Sequence, residues 1–388
     1  MMLPIYAGSS SGFGEGGLGG HLSFIQKAAL AAGRPIQILC RDQTSKLPVE
    51  RCHAIPAPAW TRAMKYTPIR WSPAIQSSLI GRQFDARAAE RLPERPIVYH
   101  CFPGFAEQSF EKVKRWGGVT VLEAATTHAD HVYEVTEAEH RKYRMGGSPF
   151  SRQWLRRVRR EYELADFITI ASALQRDSFI SRGVPAERLL YAPLGIDTDR
   201  FTGPSPEYRR RPNGSKFRIV QVGQITLRKG FIYLLEAVRL LNDPEIEVVL
   251  IGGIGWRAVR ETIEHYRTMG VAVRHASGDP LPALREAHLY VHASVEDGFG
   301  LAPLEAMASG LPAVVTDQTG MQDLIEDGKD GLVVPSKDPR RLADAIALLK
   351  NDEPRRLAMG EAAARKARNY DAVAAARRYA SALRPAWG

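Results

Sequence analysis

The sequence predicts an α/β protein of two Rossmann-like, doubly wound parallel-sheet domains facing a cleft. Three observations carry that prediction. The chain has 388 residues, beyond the ~250–300 at which single cores stop growing, so two cores are expected. Short β-rich runs alternate with helical patterns through both halves, as in parallel sheets covered by helices. Between the halves lies G-P-S-P-E-Y-R-R-R-P-N-G-S, residues 203–215, whose proline, glycine and arginine read as an interdomain linker.

In the first half the expected strands are residues 3–6, 35–40, 97–101, 119–123 and 167–171. In the second half they are 217–222, 245–251, 271–274, 288–293, 313–316 and 331–334. After the first strand comes a glycine-rich loop, then a helix with Leu22, Ile25 and Ala29 on one side, ending near Gly33. Residues 229–241 carry apolar side chains at Phe231, Leu234, Leu235, Val238 and Leu241, a helical period that stops at Asn242-Asp243-Pro244. No repeat of solenoid length is present.

Composition is that of an ordinary globular protein, with 44% hydrophobic and 25% charged residues. The net charge of +10 permits binding to phosphates, nucleic acid or an anionic membrane face without choosing among them. No nucleic-acid fold motif accompanies the charge, and no nucleic-acid partner is expected. Cys40, Cys52 and Cys101 are odd in number and lack zinc spacing, which suits incidental thiols in a reduced cytosol. No apolar run approaches the ~18 residues of a membrane span. The start, M-M-L-P-I-Y-A-G-S-S-S, lacks a basic region before an apolar stretch, so no export signal is expected.

The chemistry concentrates after the strand at 288–293, in D-G-F-G-L-A-P-L-E followed by A-M-A-S-G-L-P. Asp297 is followed by the turn Gly298-Phe299-Gly300, then by a short helix with Glu305 expected in its first turn. Pro303 suits that first turn and Gly310 the position past the helix end. Glycines let the backbone approach a ligand closely. A helix start offers unpaired N–H donors and a positive dipole end, here at Gly300, Leu301 and Ala302. One loop therefore carries carboxylates for hydroxyls and amides for phosphate, the two needs of a nucleotide-diphospho-sugar.

Two further elements suit phosphate. Arg228-Lys229-Gly230 follows the strand at 217–222 and starts a helix, where adjacent cations oppose the helix dipole unless an anion joins them. Such cations would neutralise charge growing on a departing diphosphate. The loop G-F-G-E-G-G-L-G-G, residues 12–20, precedes the first helix. It also contains G-x-G-x-x-G, Gly12 to Gly17, with Asp42 after the next strand, so a nicotinamide-dependent dehydrogenase is the alternative reading.

The acid, the Gly-Phe-Gly turn and the acid eight positions on resemble the E-x7-E motif of family 4 retaining glycosyltransferases, whose fold is GT-B. That family usually has Glu first, where this chain has Asp297 beside Glu296. The resemblance is strongest over residues 163–335, through A-D-F-I-T-I-A-S, P-L-G-I-D and V-G-Q-I-T-L-R-K-G. Where the family commonly pairs its Lys with an Arg five positions earlier, this chain has Gln224. The resemblance implies a metal-independent hexosyltransferase that retains the anomeric configuration and uses no cofactor. It implies domains at 1–203 on the acceptor side, 204–215 as linker and 216–370 holding the donor, with 371–388 crossing back to the first domain. Asp297 and Gly298–Gly300 would meet the donor sugar, Glu305 the ribose, Arg228 and Lys229 the diphosphate. Gly16-Gly17 match the family's pair facing the donor phosphates, and His128 its histidine near the sugar's primary hydroxyl.

His131, near His128, is a weaker candidate, and His100, ending the strand at 97–101, is weaker still. Asp197-Thr198-Asp199 satisfies a metal-binding D-x-D pattern, but no His or Cys cluster accompanies it, and no metal site is expected. Residues 151–165 predict an amphipathic helix with Trp154, Leu155, Val158, Tyr162 and Ala165 on one side and Arg152, Arg156, Arg157, Arg159 and Arg160 filling much of the rest. Residues 59–72 mix Trp, Tyr and cations and are assigned to acceptor recognition. The expected protein is cytoplasmic, peripheral at an anionic inner membrane face. It transfers sugar to a carbohydrate or glycolipid acceptor in bacterial surface-polysaccharide or glycolipid synthesis. A nucleotide-sugar-binding protein of the same fold without catalysis is the other alternative.

Overall fold

The computed structural model describes residues 2–14, 16–42, 51–67, 73–146, 149–204, 209–211 and 214–388. The chain forms two compact units. Met1–Ala171, Gln175–Gly195 and Ala372–Gly388 make the first, Ser172–Leu174 and Ile196–Asp371 the second. Residues 196–203, expected in the first domain, belong to the second unit. Ile196 bridges to Asp371, its N–H donates to the Tyr370 carbonyl at 2.9 Å, and Phe201 is buried. Parts of the expected linker and of residues 59–72 lie outside the described residues. Within them Arg209 is buried, donating to the carbonyls of Leu284 at 3.2 Å and Ala287 at 2.7 Å, so the linker is partly core. Trp60 and Tyr66 are exposed.

The first unit holds a sheet of β1 (Ile5–Ser9), β2 (Ile36–Cys40), β3 (Cys52–Ala54), β4 (Val98–Cys101), β5 (Val119–Glu123), β6 (Phe167–Ile170) and β7 (Leu189–Tyr191). The order is β3-β2-β1-β4-β5-β6-β7 and every pair is parallel. The central strand β4 is buried throughout, because helices cover both faces of a doubly wound sheet. β3 and β7 are three-residue edges with one buried residue each, too short to show a strand period, and neither was among the expected strands. β1 runs further than expected, into Gly8 and Ser9. Gly8 is required there, since a Cβ would stand 2.3 Å from the Tyr99 hydroxyl.

In the helix Arg152–Leu164, Leu155, Val158 and Tyr162 are buried, while Arg159 pairs with Asp130 at 2.8 Å and Arg160 with Glu163 at 2.9 Å. Arg157 departs from the expected cationic face: it is buried and donates to the Gly104 carbonyl at 3.2 Å. The final segment packs the helix Ala372–Ala382 along Gly16–Ala31. The Tyr379 hydroxyl lies 2.5 Å from the Glu123 carboxylate and its ring sits edge-on to Phe24.

The second unit holds β8 (Phe217–Val222), β9 (Ile246–Ile251), β10 (Val273–Ala276), β11 (Leu289–His292), β12 (Ala313–Thr316) and β13 (Gly331–Val334). Their order is β10-β9-β8-β11-β12-β13, again all parallel. The helix Phe231–Leu241 buries Phe231, Ile232, Leu234, Leu235 and Val238, each worth about 1.5–3 kcal/mol relative to exposure. From β8 the chain winds outward through β9 to β10, then returns to β11 on the other side of β8. The winding therefore reverses between β8 and β11, and the carboxyl ends of strands at such a switch point are where open α/β sheets bind ligands.

Candidate active site

Both loops at this switch point carry the residues singled out from the sequence. After β8, Thr226 caps a 3-10 turn, Leu227–Lys229, by accepting from the Lys229 N–H. Gly230 follows at φ +68°, and a Cβ there would lie 1.7 Å from the Ala293 carbonyl oxygen. The two loops thus touch backbone to backbone, and the Val295 N–H donates to the Arg228 carbonyl at 2.9 Å. That contact fixes Arg228 and Lys229 beside the acids after β11.

After β11 the chain reaches Asp297, whose N–H donates to the Gln318 carbonyl at 2.9 Å while its own carbonyl accepts from Gly320 N–H at 3.0 Å. The Ser172 hydroxyl donates to the Gly298 carbonyl at 2.6 Å. Phe299 is buried beneath the turn. Gly300 takes φ +91° and occupies the N-cap position of the helix Leu301–Ala308 without a capping side chain. Glu305 is the fifth residue of that helix, just past the first turn in which it was expected. Gly310 ends the helix at φ +79° as expected.

Four charges meet here. Arg228 Nη1 donates to Glu296 Oε2 at 2.8 Å and to the Glu296 carbonyl at 3.2 Å. Lys229 Nζ donates to Asp297 Oδ2. Both carboxylates are buried. Burial alone would raise the Asp297 carboxyl, but Lys229 and His292 outweigh it and hold the group well below its ordinary range. Burial lowers Lys229, and the carboxylates around Arg228 overcome burial to raise it. Glu305 stands apart: half-buried, with no described residue hydrogen-bonded to its carboxylate, it is raised by burial to about 7. A carboxylate with desolvation and no donor is suited to accept from ligand hydroxyls.

The first unit holds the other candidates. Gly17 turns at φ 37°, ψ −120° inside the helix Gly16–Ala31, and a Cβ on it would meet nothing within 4 Å. His128 is the N-cap of the helix Ala129–Lys142, its Nδ1 accepting from the Asp130 N–H at 3.2 Å. Burial lowers it to about 4, so the ring is neutral, and with Nδ1 accepting, Nε2 carries the hydrogen. His128 can thus donate to a hydroxyl but is a poor proton carrier near pH 7. His131 is half-buried.

His100 is buried, with Nε2 at 2.7 Å from Glu123 Oε2, while His21 Nε2 lies 2.6 Å from Oε1. Burial would raise the Glu123 carboxyl, and the two imidazoles instead hold it far below its usual range. Glu123 and His21 carried no signal in the sequence beyond their elements' pattern. His292 was likewise hidden, inside the expected strand at 288–293.

Asp197 and Asp199 are exposed, and Asp197 Oδ1 accepts from the Arg200 N–H at 3.0 Å, closing a local turn. Among the described residues no group of three His, Cys, Asp or Glu is arranged to hold a metal. A cavity of about 580 Å³ lies at the other ends of the strands, lined by Thr198, Arg209, His288, Pro312, Arg356 and Arg368 among others. Its buried Arg356 is taken up by the Leu349 carbonyl and Glu353, and the switch-point loops contribute nothing to it.

Residues 207–366 match the family model described as glycosyl transferases group 1, and the match contains both switch-point loops. That part of the chain is similar to the group 1 glycosyl transferases. It is 29% identical over 365 residues, 84% of this chain and 88% of the relative, to a GDP-mannose-dependent alpha-(1-6)-phosphatidylinositol monomannoside mannosyltransferase of Mycobacterium tuberculosis. It is 36% identical over 174 residues to a D-inositol 3-phosphate glycosyltransferase of Corynebacterium diphtheriae, covering 41% of this chain and 40% of that one. Among solved structures it is similar to sucrose-phosphate synthase from Thermosynechococcus elongatus, with TM-score 0.71, 19% identity and 96% of each chain covered. It is also similar to HepE of Anabaena in complex with UDP-glucose, with TM-score 0.67, 18% identity and coverage of 98% and 99%. The fold is GT-B and the protein is a glycosyltransferase. In a glycosyltransferase the G-x-G-x-x-G spacing with Asp42 does not mark a nicotinamide enzyme.

Proposed function

We propose that this glycosyltransferase moves a hexosyl group, with retention, from a nucleotide-diphospho-sugar held by its second unit to a hydroxyl of a glycolipid or surface-polysaccharide acceptor. The observation that carries the reading is Lys229 against Asp297 at the switch point, with Glu305 one helix away and without a described donor. Glu305 accepts from the ribose hydroxyls. Lys229, Arg228 and the amides at Gly300, Leu301 and Ala302 hold the diphosphate, where backbone donors at a helix start suit an anion. Asp297, with Gly298 and Phe299, meets the donor sugar. Glu296 is the weaker candidate for that contact, because it is engaged by Arg228.

Chemistry consists of breaking the bond from the anomeric carbon to the diphosphate, which leaves with the electron pair, as the acceptor hydroxyl oxygen bonds to that carbon and gives its proton to the departing diphosphate oxygen. Charge grows on the departing diphosphate, and preorganised cations lower that barrier. The cations supply this stabilisation without metal or cofactor. Gly16, Gly17 and His128 keep the roles the resemblance implies. The mannosyltransferase named above supports a glycolipid acceptor, and a peripheral cytoplasmic position at an anionic membrane face suits the net charge of +10. Among the described residues no helix is long and apolar enough to cross a membrane.

The test is turnover of UDP-, GDP- and ADP-sugars by purified protein, with and without EDTA. Transfer or hydrolysis of one donor, unchanged by EDTA, is expected. No turnover of any donor would contradict the reading, and loss of activity in EDTA would contradict its metal-free form.

A further inference from the structure

His292 ends β11 with 1% exposure and Tyr290, two residues before it, has none. A wholly buried parallel strand favours apolar side chains at such positions, so the imidazole needs a reason. Its Nε2 lies 2.7 Å from Asp297 Oδ2 and 3.0 Å from the Ser294 hydroxyl, and its Nδ1 lies 3.2 Å from the Tyr290 hydroxyl. Asp297 is ionised and can only accept, so Nε2 carries the hydrogen, and Nδ1 is left to accept from Tyr290. Burial keeps the imidazole neutral and the Tyr290 phenol protonated. The tautomer is therefore fixed from both sides.

The carboxylate of Asp297 is used unevenly. Oδ2 accepts from both Lys229 and His292, while Oδ1 has no hydrogen-bond partner among the described residues. Lys229 also faces a second demand, since a diphosphate at the switch point would draw its ammonium. Without another donor, a buried carboxylate would retain Lys229, because leaving it unpaired is costly.

We propose that His292 is a positioning residue: it holds Oδ2 of Asp297, presents Oδ1 to the donor sugar, and frees Lys229 to follow the departing diphosphate. This rests on the donor-site reading above. Tyr290 supports it by fixing the ring.

The experiment compares wild type, His292→Leu, His292→Gln and Tyr290→Phe in steady-state turnover of UDP-glucose, GDP-mannose and ADP-glucose, alongside melting temperatures. With the donor that wild type uses, His292→Leu is expected to lower kcat by about 10–100-fold, the range for losing one hydrogen bond to a charged group. KM for the donor should change by less than about threefold, since the contact matures as charge leaves the sugar. His292→Gln, which keeps an N–H donor, should recover most of kcat. Tyr290→Phe should lower kcat by about threefold or more without a fall in melting temperature, and this variant decides if His292→Leu does not fold. Wild-type kcat in His292→Leu and Tyr290→Phe, equal losses in the Leu and Gln variants, or a loss confined to KM would overturn the proposal alone. Absence of turnover of all three donors by wild type would overturn the donor-site reading, and the proposal with it.

Discussion

Lys229 is the half-buried cation on which the proposed leaving-group chemistry depends, and its present partner is Asp297. Lys229→Ala should lower transfer by about 10²–10³-fold, as for loss of one preorganised donor, with circular dichroism unchanged. Near-normal transfer would remove it from the mechanism. Glu305 gives a pH signature. Its carboxyl rises from 4.5 to about 7, so the folded protein binds this proton more tightly than the unfolded chain. The group's contribution to stability is full below about pH 4.5 and is lost as pH rises through about 7. Nucleotide binding that uses the ionised form should strengthen between about pH 6 and 8, and Glu305→Gln should abolish that slope in calorimetric titrations. Asp297, Lys229 and Glu305 were legible in the sequence as candidates, because glycines, charges and a fixed spacing in two loops have few other uses. His292 was not, since an imidazole inside an apolar run gives no one-dimensional sign of what lies across the loop.

The loop after β8 depends on a glycine for two independent reasons. Gly230 sits at φ +68°, and a Cβ would strike the Ala293 carbonyl at 1.7 Å. Gly230→Ala should destabilise the protein by about 2 kcal/mol or more, combining left-handed strain with displaced backbone. Gly253→Ala is the control, since a Cβ there meets nothing within 4 Å; equal melting temperatures for both variants would contradict the loop contact. The interior strands were legible because burial on both faces makes them continuous apolar runs, as in β12. The edges β3 and β7 were not, since a strand with one buried residue carries no periodic signal. The helix start after Gly300 was legible, but counted from Leu301, Glu305 is the fifth residue and so lies just past the first turn in which it was expected.

At the scale of the molecule, two parallel sheets share one winding, and the second places its switch point beneath the loops after β8 and β11. Alternation and length made this legible, whereas the inclusion of residues 196–203 in the second unit depends on pairing of Ile196 with Asp371, remote in sequence. A cognate nucleoside diphosphate at 100 times its Kd should stabilise the protein by about 2.7 kcal/mol. A melting-temperature screen of UDP, GDP and ADP should therefore single out one base by its upward shift, and equal behaviour of all three would count against base selection. The central claim is that the loops after β8 and β11 grip a nucleoside diphosphate. A crystal structure with that nucleotide tests it most directly. The expected density has the pyrophosphate within hydrogen-bond reach of Lys229 Nζ and the amides at Leu301 and Ala302, with the ribose on Glu305. A nucleotide bound at any other place, leaving Lys229 on Asp297 and Glu305 without a ligand, would contradict the account.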